Sequence, residues 1–268
     1  MTNEFSVSSF DQTKLFAKKD IPLNPKAVVL VVHGLCEHLG RYNYFTQRLF
    51  ENDFAVYRFD HRGHGRSEGN RVFYQDFNEI LDDVNAMAEL AKEENPGLPI
   101  FVFGHSMGGF AVTNYGIKYP DKVSGIITSG ALTRNNFGIG SDLPPSLPLD
   151  TYFPNELGAG VCSDARVVEA YANDPLVEKQ VSAGLFYSLF NGVSWGTDNS
   201  SSFKYPVLIL HGANDGIVSE KDSRDFFGDI ASSDKSLIIY PHLFHEILNE
   251  SVKDEIISDI IRWISKRI

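Results

Sequence analysis

Residues 100–110 read Ile-Phe-Val-Phe-Gly-His-Ser-Met-Gly-Gly-Phe: four apolar residues run straight into Gly104-His105-Ser106-Met107-Gly108, and a helix-compatible stretch follows. A strand that ends in Gly-x-Ser-x-Gly and continues as a helix is a nucleophile elbow. The turn is so sharp that it strains the serine backbone and lifts Oγ out of the top of a sheet. Gly104 and Gly108 are required on this reading, because a Cβ at either place would collide with the neighbouring strand or helix. The helix beyond Ser106 aims backbone N–H groups at any negative charge that forms there. The bare pattern arises by chance in glycine-rich loops, and the flanking strand and helix give it its meaning.

The rest of the chain repeats the strand–helix rhythm. Residues 4–20 alternate weakly around Asp11-Gln12-Thr13, which predicts an antiparallel hairpin. Ala27–Val32 is a continuous aliphatic run, the mark of a strand buried on both faces. Helical spacing follows over Arg41–Asn52, a strand over Ala55–Phe59, and a long amphipathic helix over Asp76–Asn95 that stops at Pro96-Gly97. After the elbow helix, to about Tyr119, comes a strand at Val123–Thr128. The rhythm breaks after Gly130. Residues 131–202 show helical patches at 164–172 and 180–190 and no obvious strand, and read as a partly helical cap over the C-terminal edge of the sheet. Alternation resumes at Pro206–Leu210, Lys221–Ile230, Ser236–Tyr240 and Ser251–Ile268. The prediction is an α/β fold: a mostly parallel, doubly wound sheet of about eight strands, with residues 1–130 and 203–268 as core and 131–202 as insertion.

A nucleophilic serine needs a base, and the base needs an orienting acid. The acid and the histidine should follow the serine in that order, each on a loop after a strand. The strand ending at Leu210 runs into His211-Gly212-Ala213-Asn214-Asp215, and the strand ending at Tyr240 runs into Pro241-His242-Leu243-Phe244-His245. Both loops lie where open α/β sheets place their sites. Asp215 and His245 are therefore the candidates. Asp222 and Asp225 read as surface carboxylates of the next helix and His211 as a structural histidine, while spacing alone leaves His242 open. Acyl transfer also needs an oxyanion hole, expected from the backbone N–H groups of Met107 and of Leu35, in the loop after Ala27–Val32.

Other chemistry is poorly supported. A net charge of −11 and a pI near 5.1 argue against nucleic acid and anionic membrane surfaces. His61 and His64 beside Asp60 are the nearest approach to a metal cluster, but Gly63 and Gly65 make that stretch a turn. No metal and no cofactor is called for. Asp82-Asp83 on the long helix reads as a solvated face. Two cysteines without a C-x-x-C pair, no signal peptide and no apolar run of transmembrane length predict a reducing, cytoplasmic setting.

Taken together, the motifs resemble one family. They are His33-Gly34-Leu35-Cys36-Glu37-His38 with Arg41-Tyr42, Asp60-His61-Arg62-Gly63-His64-Gly65-Arg66-Ser67, the elbow, Asn173-Asp174-Pro175-Leu176, His211 to Asp215, and His245-Glu246. Nearly the whole chain is similar to the monoglyceride lipase and lysophospholipase branch of the α/β-hydrolases, grouped with serine aminopeptidase-like hydrolases. The resemblance implies the triad Ser106, Asp215 and His245, with Leu35 and Met107 as oxyanion donors. It also implies a helical cap whose apolar inner face guides an acyl chain. Residues matching Glu37 and Arg41 lie near the polar glycerol end in that branch; the alternative is a structural Glu–Arg pair. Cys36 stands where the family usually has glycine, and Leu248 where monoglyceride lipases often carry a second histidine. The expected activity is a serine esterase for single-chain lipids. A short-chain carboxylesterase or thioesterase, and an inactive ligand-binding hydrolase fold, are the alternatives. Among apolar cap residues, Leu176, Val177, Val181, Leu185, Phe186, Leu189 and Phe190 are candidates for an acyl tunnel. Core packing of the cap would use the same residues. Exposed apolar cap residues would also let the chain rest transiently on a lipid surface. Acyl-chain length and oligomeric state are left open.

Overall fold

The computed structural model describes residues 2–144 and 146–268, without the side chain of Ala159. The chain opens with the expected hairpin, β1 (Thr2–Ser8) antiparallel to β2 (Lys14–Asp20). Then come β3 (Ala27–Val32), helix α1 (Asn43–Phe50), β4 (Phe54–Phe59), α2 (Phe77–Glu94), β5 (Ile100–His105), α3 (Met107–Lys118) and β6 (Gly125–Ser129). After an intervening segment, β9 (Val207–Gly212), α6 (Glu220–Asp229), β10 (Lys235–Tyr240) and α7 (Lys253–Ser265) complete the alternation. The eight-stranded sheet has the order β1-β2-β4-β3-β5-β6-β9-β10, antiparallel at the β1 and β2 edge and parallel from β4 onward. The strand order reverses between β3 and β5, so a crevice opens there at the carboxyl ends of the strands.

The aliphatic runs explain the layering. Successive side chains of a strand point to opposite faces, so Val28, Leu30 and Val32 pack on one side with Val84 and Met87 of α2 and Ala111 of α3. Ala27, Val29 and Val31 pack on the other with Leu49 of α1 and Ile257, Ile260 and Trp263 of α7. Each large aliphatic side chain fully buried this way contributes about 1.5–3 kcal/mol. Among the described residues no helix is long and apolar enough to cross a membrane.

The segment between β6 and β9 holds β7 (Tyr152–Pro154), α4 (Ala165–Asn173), β8 (Gln180–Ser182) and α5 (Ala183–Asp198). Here the structure departs from the sequence expectation: β7 and β8 pair as a small antiparallel sheet where no strand was predicted. Three-residue strands offer too few alternations to register as a period. The helix expected over 180–190 begins instead at Ala183, because Ser182 caps it by accepting from the Leu185 N–H at 3.0 Å.

Two carboxylates expected at the surface are buried. Asp83 on α2 is fully enclosed and takes Arg62 Nε and Nη2 at 2.7 Å each, with the Ser9 hydroxyl as a further donor. Its neighbour Asp82 is half-buried against Lys118 and Tyr119. Asp222 is also enclosed and accepts the backbone N–H groups of Arg134, Asn135 and Asn136 at 3.1, 2.8 and 2.9 Å, which fixes the chain leaving β6. Asp225 is half-buried and pairs with Lys221, as a helix-surface carboxylate does.

Candidate active site

Ser106 has φ 55° and ψ −117°, left-handed backbone that a non-glycine residue adopts only when its surroundings impose it. Those surroundings are tight. A Cβ on Gly104 would strike the Gly108 carbonyl, and one on Gly108 would strike the carbonyls of Val32 and His33. The Ser106 N–H donates to Ser129 O at 2.9 Å, tying the turn to β6. Met107 is the first residue of α3, so its N–H has no carbonyl to bond within the helix.

Asp215 and His245, after β9 and β10, meet as expected. The His245 Nδ1–H donates to Asp215 Oδ2 at 2.7 Å, which leaves Nε2 as the basic nitrogen. Asp215 Oδ1 accepts the N–H groups of Ile217 and Val218, both at 2.9 Å. Oδ2 also lies 3.0 Å from His211 Nε2. That nitrogen faces a second acceptor, Val218 O at 3.0 Å, so it carries the proton, and His211 Nδ1 accepts from Ser223 Oγ at 2.8 Å. The structural reading of His211 thus becomes more specific: it is buried and braces the carboxylate. Burial alone would raise the Asp215 pKa, but the two histidines hold it well below the usual carboxylate range. Burial disfavours a charged His245, but the charge and hydrogen bond of Asp215 outweigh it and raise the pKa above the ordinary value. His242 is exposed, with φ 65°, and lies outside this group. Neighbouring His105 is neutral: burial, and then repulsion from His245, push its pKa down to about 3.

Sequence reasoning missed Gly130. It has φ +55°, and a Cβ there would stand 3.0 Å from His245 Nδ1 and 3.3 Å from Asp215 Oδ2. A glycine directly after a strand end is the signal that could have found it.

Leu35 and Met107 both line a cavity of about 380 Å³ that opens at Ser106. Its walls are largely apolar and come from six stretches: the loop after β3, the start of α3, residues 132–143, residues 153–157 with Val181, α5, and the loop after β9. Of the residues expected to line an acyl tunnel, Val181, Phe186, Leu189 and Phe190 do so. Leu185 packs instead into the main core. Leu176 and Val177 do not reach this cavity. Val177 belongs to a satellite cluster with Val161, Cys162 and Tyr171, because Asp174, bonded to His38 at 2.9 Å and to the Leu176 N–H at 2.8 Å, turns that stretch toward the loop after β3. Leu132, Ile139, Leu143, Phe153, Ile217 and Val218 line the cavity unpredicted.

Glu37, which is buried, and Arg41, which is partly buried, lie beside the site and not along this cavity. Glu37 Oε1 accepts from Tyr42 Oη at 2.6 Å and from the Gly34 N–H, and Oε2 accepts from Arg41 at 3.1 Å. Arg41 also forks onto Glu246, with Nη2 to Oε2 at 2.8 Å, and lies 4.8 Å over the Tyr171 ring. Burial would raise the Glu37 pKa, yet Arg41 and the Tyr42 and Gly34 donors hold it below the usual value. Arg41 also borders an open groove of about 740 Å³ on the side of His38 and Asp174, whereas the two crevices that border Glu37 measure about 10 and 20 Å³. A single water needs about 10–15 Å³, so neither accommodates a glycerol as it stands. His61 and His64 are enclosed against His33, with ring centroids 4.5 and 5.5 Å from it, and the Asp60 carboxylate accepts the Leu39 and Arg66 N–H groups at 2.7 and 2.8 Å.

A parallel sheet in this strand order, with a left-handed serine after β5, an acid after β9 and a histidine after β10, is the α/β-hydrolase architecture. Residues 23–252 match the family model described as Serine aminopeptidase, S33, and the chain belongs to that family. It is an enzyme, a serine hydrolase. Monoacylglycerol lipase of Mycolicibacterium smegmatis is 34% identical over 252 residues, covering 90% of this chain and 89% of its own. Human monoglyceride lipase is 30% identical over 255 residues, covering 91% and 84%. The crystal structure of Paleococcus ferrophilus monoacylglycerol lipase superposes with a TM-score of 0.81 at 28% identity, covering 95% of this chain and 99% of that one.

Proposed function

We propose that the protein hydrolyses monoacylglycerols through an acyl-enzyme formed on Ser106. The observation that carries this reading is the apolar cavity of about 380 Å³ ending at Ser106, Leu35 and Met107. Its wall suits a hydrocarbon chain, and the sequence relatives are lipases of this substrate class. As Ser106 Oγ attacks the ester carbonyl, His245 Nε2 takes its proton, and Asp215 steadies the imidazolium that results. The Leu35 and Met107 N–H groups receive the tetrahedral oxyanion. Collapse breaks the bond to the glycerol oxygen, which leaves with the proton from His245. A water then gives its proton to His245 as it adds to the acyl-enzyme, and His245 passes that proton to Ser106 Oγ as the acyl bond breaks and the fatty acid leaves. Residues 131–202 act as the cap that supplies most of the acyl wall. The two cysteines are free and buried, which suits a reducing compartment such as the cytoplasm.

The test is hydrolysis of p-nitrophenyl esters from C2 to C16 beside 1-monoacylglycerol and lysophosphatidylcholine, with Ser106→Ala and His245→Ala as controls. Preference for medium or long monoacylglycerols, abolished in both controls, is the expected result. Activity confined to C2–C4 esters would move the protein to the short-chain esterases. Inertness toward all esters and toward fluorophosphonates would leave a ligand-binding hydrolase fold. Phe137, Leu149 and Tyr152 are large apolar side chains exposed on the 131–202 segment, and they support transient contact with lipid. Liposome co-sedimentation of the intact and cap-deleted proteins reads this, and equal partitioning refutes it.

A further inference from the structure

The oxyanion reading asks one peptide group, Gly34–Leu35, to point its N–H at the reacting carbonyl. A trans peptide is planar, with C=O and N–H on opposite sides. Whatever holds the Gly34 carbonyl therefore sets the direction of the Leu35 N–H. The group that holds it is His33, whose Nδ1 lies 2.8 Å from Gly34 O. The tautomer needed for this bond is imposed from behind: His33 Nε2 accepts the backbone N–H of His61 at 2.9 Å, so the ring proton sits on Nδ1. His61 Nε2 in turn bonds the His33 carbonyl at 3.0 Å, which fixes the ring's own backbone.

The other side of the loop is held by Glu37, whose Oε1 accepts the Gly34 N–H and the Tyr42 hydroxyl. Gly34 has no room to move: a Cβ there would stand 2.8 Å from Glu37 Oε1, 3.1 Å from Ser106 Cβ and 3.3 Å from His105 Cδ2. Arg41 links Glu37 to Glu246, the residue after His245, so one guanidinium ties the Leu35 loop to the His245 loop. His33 and Glu37 are buried and are occupied by partners from this chain.

We propose that His33 and Glu37 are positioning residues for the oxyanion hole: His33 holds the carbonyl of the Gly34–Leu35 peptide and Glu37 holds the N–H of the adjoining His33–Gly34 peptide, so that the Leu35 N–H meets the oxyanion formed at Ser106. This rests on the assignment of Leu35 and Met107 as the oxyanion donors. The clamp acts on a charge present only in the transition state. Loosening it therefore lowers kcat and weakens mimics of that state, while binding of the acyl chain is untouched.

The test uses Glu37→Met, which keeps the length but removes the acceptor of the Gly34 N–H, and His33→Asn, which perturbs the hold on the Gly34 carbonyl independently. For each folded variant, kcat/KM is measured on p-nitrophenyl butyrate and on 1-monoacylglycerol, with inhibition constants for a long-chain trifluoromethyl ketone and a long-chain fatty alcohol. The ketone places an oxyanion in the hole, whereas the alcohol only fills the cavity. The expected result is a loss of about 10- to 100-fold in kcat/KM on both substrates, matched by the ketone and absent from the alcohol. Loss on monoacylglycerol alone, with p-nitrophenyl butyrate unchanged, overturns the proposal and makes Glu37 part of a glycerol contact. Loss on both substrates with unchanged ketone inhibition overturns it, as do changes within about twofold in both variants. A wild-type protein that neither turns over esters nor binds the ketone overturns the Ser106 reading, and the clamp with it.

Discussion

Replacing Asp215 by asparagine tests the proposed triad at its most constrained point. The new amide must place its oxygen where Oδ1 was, because that position faces two N–H donors, of Ile217 and Val218, at 2.9 Å each. The NH2 group then occupies the place of Oδ2, facing His245 Nδ1 and His211 Nε2. His245 can meet that donor only as an acceptor at Nδ1, so its proton moves to Nε2. Nε2 can then no longer take the Ser106 proton. The His211 Nε2–H cannot give way, since it also faces Val218 O at 3.0 Å. The amide therefore has no alternative orientation that rescues the productive tautomer. The corresponding change in a serine protease triad lowers kcat about 10,000-fold, which at 1.36 kcal/mol per decade is roughly 5.4 kcal/mol of lost transition-state stabilisation. The assay is steady-state hydrolysis of p-nitrophenyl butyrate together with the rate of fluorophosphonate labelling of Ser106. Both should fall in parallel, with KM little changed because the cavity is untouched. A fall of less than about tenfold in both would refute the wrong-tautomer reasoning and return the acid's role to another carboxylate.

Asp83→Ala leaves the enclosed Arg62 without its main partner and should cost about 3–5 kcal/mol; at about 2–4 °C per kcal/mol that lowers Tm by roughly 6–20 °C, read by thermal unfolding. The raised pKa of His245 puts the acid limb of kcat/KM above pH 6.5, since the neutral imidazole is the active form, and a midpoint at or below 6.5 contradicts the Asp215–His245 coupling. The same raised pKa contributes stability that is fully present below the unfolded value and lost as pH rises through the folded one, so activity and this contribution move in opposite directions with pH. Gly130→Ala adds about 1–2 kcal/mol of left-handed strain and presses on His245 Nδ1, so kcat should fall by more than the loss in urea stability accounts for; equal losses would mean that strain is the whole effect. Along the p-nitrophenyl series each methylene that enters the apolar cavity is worth about 0.8 kcal/mol, roughly fourfold in kcat/KM, until the cavity is full; a flat profile from C2 onward would show that the acyl chain binds elsewhere.

What could be read from the chain and what could not divide along a physical line. The elbow, the aliphatic strands and the two strand-end loops with Asp215 and His245 are local signals. Each is set by the few residues around it, and the structure brings them together because all three loops leave the same edge of one parallel sheet. Sign and burial of carboxylates are not local. Asp83 looks like the outer face of a helix until Arg62, 21 residues away, and Ser9, 74 away, are placed against it. Asp222 looks the same until the backbone of 134–136 turns its N–H groups toward it. The carboxylates misread as surface groups are thus the ones whose partners lie far along the chain.

The acyl cavity shows the same limit from the apolar side. Leu176 and Phe186 are both apolar residues of the 131–202 segment. What separates them is that Asp174 anchors the first stretch to His38, while α5, started by the Ser182 cap, turns Phe186 and Phe190 inward as a stacked pair with ring centroids 6.0 Å apart. Ile217 and Val218 join them because the same two residues donate their N–H groups to Asp215. One loop therefore holds the carboxylate through its backbone and forms part of the acyl wall through its side chains. Substitutions at Ile217 that reshape the wall should accordingly leave the Asp215 geometry intact, since they change side chains and not the N–H groups. Ile217→Ala is expected to shift chain-length preference while the pH of the acid limb stays fixed. A coupled shift of both would show that the wall and the triad are not separable.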